Sequence, residues 1–375
     1  MCASSAYFIN HHLHLAAFSG REAAARAALT LDNEGDRKTI EERGVPVHGL
    51  NLSRKSLNPF RVLAEAAALR RIVKKVKPDL VNPIALKSVL VTLMAAAGLS
   101  CGVVASITGL GYLFSGNNIG RRLPRLLTLA ALTALLRGKR HELLFSNTAD
   151  RDIFLDRRVT APERMRIVPI PGVDIDEFAY TPEPESGFRV VLPARMLWEK
   201  GVAEFVEAAA MVKEAVPEAE FILAGLPDAG NPESIGEEQL RKWSGSGVVS
   251  WIGYCGRMPE LLASCHVVCL PSYYREGFPR VLVEALACGR PIVTADAPGC
   301  RDVLDGTEAG LLAPPRNAAE LARALKRLYM EPETRQAMGR RGRRKVEEEL
   351  SREKITGEMA AVFEQVGRAV AGRSA

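Results

Sequence analysis

Residues 279–289 read PRVLVEALACG, and a helix built from them would have no wet face. A helix apolar on every side has to be enclosed by other elements. Yet it carries one carboxylate, Glu284, among Val281, Leu282, Val283, Ala285, Leu286, Ala287 and Cys288. A buried carboxylate needs hydrogen-bond donors, from the protein or from a ligand. Taken alone, Glu284 reads more readily as a structural acid paired with Arg or Lys. Its surroundings favour a site. Glu276, Gly277, Phe278 and Pro279 precede it, and a proline preset for a first helical position predicts that the helix opens at Pro279. The unpaired amides of that terminus suit a phosphate, with Glu284 about one turn further in.

Around this segment, apolar strand-like runs alternate with helical patterns, as expected of parallel sheets with helices on both faces. Two such units are expected, matching the prior of about two domains for 375 residues. In the first, helices are predicted over 59–77, 87–97 and 119–136, and strands over 79–83, 102–108, 142–146 and 165–169. The second opens at 188 with FRVVLPAR. Helices are predicted over 202–216, 258–265 and in the Glu284 segment, and strands over 219–224, 248–252, 267–270 and 291–295. TPEPESG, residues 181–187, reads as a linker. So few residues precede Tyr7 that the first strand of the first unit is expected to be short or missing.

The strand FRVVLPAR ends in Arg195, and Lys200-Gly201 opens a helix whose Val202, Phe205, Val206, Ala209 and Val212 recur at helical spacing. Both cations therefore belong to a carboxyl edge, where open α/β sheets bind ligands, and they suit a departing diphosphate.

Charge is unevenly divided. Residues 1–180 hold 25 Lys and Arg against 16 Asp and Glu, and the remainder 25 against 28. The basic half suits an anionic partner; with no aromatic-interleaved basic stretch, nucleic acid is not expected and an anionic membrane surface is. The segment 119–136 strengthens this, combining Arg121, Arg122 and Arg125 with Leu123, Leu126, Leu127 and Leu135, although a helix covering the sheet would need leucines too. The uncharged run Leu126 to Leu136 is shorter than the about 20 residues that cross a bilayer. Seven cysteines without a CxxC pair, and a start lacking the charged and apolar regions of a signal peptide, predict a cytoplasmic protein. Gly109-Leu110-Gly111 is no dinucleotide fingerprint, since position 114 is Phe. The pairs Asp150/Asp152 and Asp174/Asp176 read as cap and loop residues. His11, His12 and His14 lack a second ligand cluster, so they read as a polar loop rather than a metal site.

ARMLWEKGV, followed by PSYYREGFPRVLVEALACGRPIVTADAPGCRDVL, resembles the donor-binding half of the glycosyltransferase family 4 enzymes. NHHLHLA, SITGLGYLFSG, LFSNTADRDIF and GVDIDEF extend the resemblance over nearly the whole chain, closest to enzymes that build capsule or O-antigen-type glycans. The resemblance implies the GT-B fold, two Rossmann-like doubly wound domains facing across a cleft. They would span 1–178, binding acceptor, and 179–355, binding nucleotide sugar, with a terminal helix over 356–375 packing back toward the first. It implies that Arg195 and Lys200 hold the nucleotide diphosphate, that Glu276 binds donor-sugar hydroxyls, and that Gly277, Phe278 and Pro279 supply backbone contacts. Glu284 would accept the ribose hydroxyls. Transfer would retain configuration, with no cofactor and no metal, from a UDP- or GDP-sugar to a polyprenyl-diphosphate-linked saccharide. The acceptor side would involve His11, Thr108, Gly109 and Gly111, with Thr108 standing where several relatives carry histidine. A sugar-nucleotide 2-epimerase and a non-catalytic sugar-nucleotide-binding subunit are the alternatives.

Overall fold

A computed structural model describes the chain except residues 1, 3, 20–23, 54–57, 115–118, 171 and 372–375; the end of the SITGLGYLFSG motif lies outside the described residues. The chain forms two compact units, Met1–Pro171 with Ile355–Ala375, and Gly172–Lys354. The first unit thus ends before residue 178 and includes most of the terminal helix Arg352–Ala371.

The first unit holds β1 (Ala27–Leu29) beside β2 (Val47–Gly49), and a four-stranded sheet of β3 (Leu80–Val81), β4 (Gly102–Ile107), β5 (His141–Phe145) and β6 (Met165–Ile167) in that order. All pairs are parallel. Cys2 makes a single parallel bridge to Leu29, and the helix Ser5–His11 follows at once, so no five-residue strand precedes Tyr7 among the described residues. Successive side chains of a strand point to opposite faces. Val103, Ala105 and Ile107 accordingly join Leu129, Leu132 and Leu136 of the helix Arg122–Leu136 in one core, while Val104 and Leu144 meet Ile355, Met359, Val362 and Val366 of the terminal helix on the other. Asparagine starts several helices. Asn58 accepts from Phe60 N–H ahead of Pro59, and Asn147 from Asp150 N–H at 2.8 Å.

The second unit is one parallel sheet of six strands: β7 (Arg189–Pro193), β8 (Glu220–Ala224), β9 (Ser250–Gly253), β10 (Val267–Leu270), β11 (Ile292–Ala295) and β12 (Gly310–Ala313). Their order is β12-β11-β10-β7-β8-β9. The chain winds outward from β7 through β8 to β9, then returns to lay β10 on the other side of β7. That reversal is the switch point where open α/β sheets bind ligands, outside the carboxyl ends. Val190 and Leu192 face one core and Val191 the other, so the sheet is covered on both sides.

Several expectations are corrected. TPEPESG is no linker, since Arg290 donates to the carbonyls of Thr181 (2.9 Å) and Pro182 (2.9 Å), and Arg335 pairs with Glu183 at 2.7 Å, so the stretch is strapped to the second unit. The predicted strand 79–83 keeps only Leu80–Val81. β1, β2 and β12 were not anticipated; three or four residues leave too little alternation to read. The helix expected from 119 begins at Arg122, after a 3-10 turn over Ile119–Arg121. His11 and His14 lie in helices and His12 is the turn between them, so the segment is no extended loop. His11 ends the helix Ser5–His11 with its ring 4.5 Å from that of Tyr7, and His12 is buried. Asp150 lies in the first turn of the helix Thr148–Asp156, capped by Asn147, and Asp174 is a turn residue accepting from Asp176 and Glu177 N–H.

Candidate active site

Three loops leave the carboxyl ends of β7, β10 and β11, and packing between backbones joins them. After β7 the chain bends at Arg195, makes a 3-10 turn over Trp198–Lys200 and enters the helix Val202–Lys213 through Gly201. Gly201 has φ of 75°, and a Cβ there would stand 2.3 Å from the carbonyl oxygen of Pro271, just past β10. Tyr273 and Tyr274 N–H both donate to the carbonyl of Glu199, at 3.1 and 3.2 Å. After β11, Gly299 has φ of 83°, and its Cβ would stand 2.4 Å from the carbonyl oxygen of Glu276. Only glycine permits these two approaches.

Within this frame the Lys200 ammonium is ion-paired with Glu276 Oε1, and both side chains are about one-eighth exposed, at 13 and 12 %. The Ser272 hydroxyl stands 2.8 Å from the same carboxylate oxygen. Arg195 pairs with Asp228 at 2.6 Å, but its side chain is 59 % exposed, so that pair contributes little and leaves the guanidinium accessible. Burial raises the pKa of Glu199; Glu233 and Glu276 add to the rise, and Lys200 and Arg195 oppose it. Both cations and Glu276 thus act electrostatically on one carboxyl at the switch point.

Glu284 has a different ion-pair partner. It lies in the helix Arg280–Ala287, where every residue from Leu282 to Ala287 is buried, and its carboxylate is 2.7 Å from Arg280 Nε one turn earlier. The partner is therefore Arg280 rather than a cation from a strand end. Burial raises the pKa of Glu284 more than Arg280 lowers it. The helix begins one residue later than expected: Pro279 is the N-cap and Arg280 the first helical residue. Its N-cap makes no side-chain capping bond and no acid stands in its first turn. Gly277 and Phe278 lie between Glu276 and this terminus, with Phe278 packed on the core beneath.

In the first unit, Thr108, Gly109 and Gly111 leave the carboxyl end of β4, and Gly109 and Gly111 have φ of 140° and 65°. His11 belongs to the helix that follows the Cys2 bridge. The readings from sequence missed Asp228, Ser272, Arg280 and Gly299. Arg280 was readable as an i,i+4 partner of Glu284. Asp228 has no local signal, since it reaches Arg195 across 33 residues.

The profile of the family described as "Glycosyl transferases group 1" matches residues 174–345, and that described as "Glycosyl transferase 4-like" matches residues 8–147. The chain is 29% identical over 310 residues to the N,N'-diacetylbacillosaminyl-diphospho-undecaprenol alpha-1,3-N-acetylgalactosaminyltransferase of Campylobacter jejuni, covering 79% of this chain and 80% of that protein. It is 28% identical over 260 residues to the MMP alpha-(1->4)-mannosyltransferase of Mycolicibacterium hassiacum, covering 68% and 57%. Among solved structures, Anabaena HepE in complex with UDP superposes with a TM-score of 0.76 at 17% identity, over 97% of this chain and 99% of that one. That likeness, with other GT-B glycosyltransferases of the same shape class, identifies the fold as GT-B.

Proposed function

The chain belongs to the glycosyltransferases, with a glycosyl transferase 4-like first half and a group 1 second half, and on that premise we propose that it transfers a sugar, with retention of configuration, from a UDP- or GDP-sugar to a polyprenyl-diphosphate-linked saccharide. The observation that carries this reading is the sequestered Lys200–Glu276 pair at the switch point of the second sheet. A diphosphate gains negative charge as it departs, and preformed cations aimed at that charge stabilise the transition state. Lys200 and Arg195 do so here, and Arg195 leaves Asp228 to reach the phosphates. The amino-terminal end of the helix Arg280–Ala287 adds the partial positive charge of its dipole for the same group. Glu276, oriented by Lys200 and Ser272, accepts from the hydroxyls of the donor sugar. Glu284 exchanges Arg280 for the two ribose hydroxyls. The acceptor hydroxyl attacks from the side the diphosphate vacates, and positioning rather than a covalent intermediate supplies the rate. The first unit holds the acceptor, with Thr108, Gly109, Gly111 and His11 nearest to it. The Campylobacter relative, whose name specifies a diphospho-undecaprenol acceptor, supports that choice.

No helix among the described residues is long and apolar enough to cross a membrane. The reading places the enzyme in the cytoplasm, reaching its acceptor by docking on the inner leaflet. Leu123, Leu126 and Leu127 are 64, 45 and 61 % exposed at the start of the helix Arg122–Leu136, beside exposed Arg122. Arg125 does not belong to that face: its Nε donates to the Leu113 carbonyl and its guanidinium lies over the Phe114 ring. A panel of UDP- and GDP-sugars, incubated with a lipid-linked saccharide and scored by nucleotide release and by the anomeric configuration of the product, tests the proposal. Acceptor-dependent release with retained configuration is expected. Epimerised donor, or donor binding without release, would sink it.

A further inference from the structure

At the amino-terminal edge of the first unit's sheet lies a cavity of about 1300 Å3, lined by Arg137, Lys139, Arg140, Arg158, Arg164 and a single carboxylate, Glu142. It sits among the starts of β5 and β6, whereas Thr108, Gly109 and Gly111 leave the opposite edge; five residues of strand separate the two by about 16 Å. The cavity is therefore distinct from the acceptor side of the unit. Glu142 does not neutralise it. That carboxylate is buried and already bracketed by Arg166 at 3.5 Å and Arg164 at 4.0 Å. Lys139 donates to the carbonyls of Ala96 and Leu99, and His141 is tied to the Lys139 carbonyl and the Thr160 hydroxyl, with burial lowering its pKa. Three guanidinium groups remain uncommitted. Arg137 and Arg158 are exposed at the rim and make no ion pair among the described residues. Arg140 makes none either, and its Nη1 is buried without a hydrogen-bond partner. Buried polar atoms are normally satisfied, so a guanidinium nitrogen left unpartnered beside the cavity is a donor that an incoming anion would pair with once the side chain turns outward.

We propose that this cavity binds a polyphosphate anion, at a site separate from the reaction. The guanidinium fork matches phosphate oxygens, and a concave wall of one charge sign focuses its field on whatever enters. The volume exceeds the about 300–1,000 Å3 usual for small-molecule pockets, which suits several phosphates or a nucleotide better than a single ion. Gln365 of the terminal helix lines the same cavity and accepts from Arg166 at 2.7 Å, so an occupant would also brace that helix against the sheet. Free polyphosphate and the phosphates of a lipid headgroup share this chemistry, and the test separates them.

The full chain is titrated calorimetrically with sodium tripolyphosphate, as wild type and as Lys200→Ala, which removes the cation through which the donor site would take the same anion. In a second arm, sedimentation with phosphatidylglycerol/phosphatidylcholine vesicles is measured. Saturable binding that survives Lys200→Ala is expected, weakened at least tenfold by Arg137→Glu with Arg158→Glu and independently by Arg140→Ala. The rim positions are exposed, so that double variant should fold, which a thermal melt checks. Vesicle capture lost in the same variants, without binding of the free anion, would support the phosphate site and assign it to a headgroup. Binding that vanishes with Lys200→Ala, or that neither set of Arg variants changes in either arm, would overturn the proposal.

Discussion

The two units are built from the same parallel βαβ logic, yet they differ in how their strands are grouped and in charge. The second is a six-stranded sheet whose strand-end loops are clamped together by glycines at close approach. The first has a single bridge at Cys2, a two-stranded piece and a four-stranded sheet. The first carries 27 Lys and Arg against 15 Asp and Glu, the second 23 against 29. The diphosphate site proposed for the second unit would demand rigid loops and a few side chains in one geometry. The lipid- or acceptor-facing surface proposed for the first would need cationic field and apolar area, which many sequences supply.

The contrast breaks most sharply at the ion pair. Lys200→Ala or Glu276→Gln should lower kcat/KM about 10²–10³-fold in the nucleotide-release assay, since each removes a charge aimed at the reacting group and strands its partner. A loss of less than threefold would move the chemistry away from the second unit. Next come the glycines. Gly201→Ala and Gly299→Ala force a Cβ against a carbonyl oxygen at positive φ and should destabilise by about 2–4 kcal/mol. Gly111→Ala, at positive φ but with open space around it, should cost about 1–2 kcal/mol. Thermal unfolding of the three variants compares the units directly, and equal shifts would erase the claimed difference in rigidity.

Glu284 sharpens the comparison through pH. In the proposed donor pose only its carboxylate can accept from both ribose hydroxyls, and burial raises its pKa above the ordinary 4.5. Donor affinity should therefore begin to fall, on acidification, at a higher pH than an exposed glutamate would dictate. Glu284→Gln should remove that dependence while weakening binding about tenfold or more, as calorimetry between pH 5 and 8 would read. The linkage sign for folding is opposite: a carboxyl whose folded pKa lies above its unfolded value loses stability as pH rises through that window. The smallest effect belongs to the first unit. Arg122→Ala should weaken partition onto phosphatidylglycerol vesicles about fivefold, one cation near an anionic surface contributing about 1 kcal/mol. No change, combined with no change in Leu127→Ser, would remove the membrane face from the reading.

Much of the second unit was legible because its signals are local. FRVVLPAR, the helical recurrence from Val202 to Val212 and the all-apolar segment around Glu284 each announce one element by periodicity or composition. The first unit was harder: β1 and β2 are three residues long, β3 two, and Arg125 of the helix Arg122–Leu136 makes its contacts with Leu113 and Phe114, which no local pattern announces. TPEPESG has the composition of a linker and the bonding of a strap, because Arg290 and Arg335, more than a hundred residues later, claim its carbonyls and its carboxylate.

By itself the sequence determined the alternation of elements, the enclosure of the Glu284 helix and the residue types available at each strand end, all properties of neighbours along the chain. Which of those residues meet was decided by strand order. Lys200 finds Glu276 only because β10 returns to the side of β7, and Arg195 finds Asp228 only because β8 lies on the other side. Such pairings depend on the closure of long loops over a packed sheet, and their energy comes from contacts that no local pattern encodes.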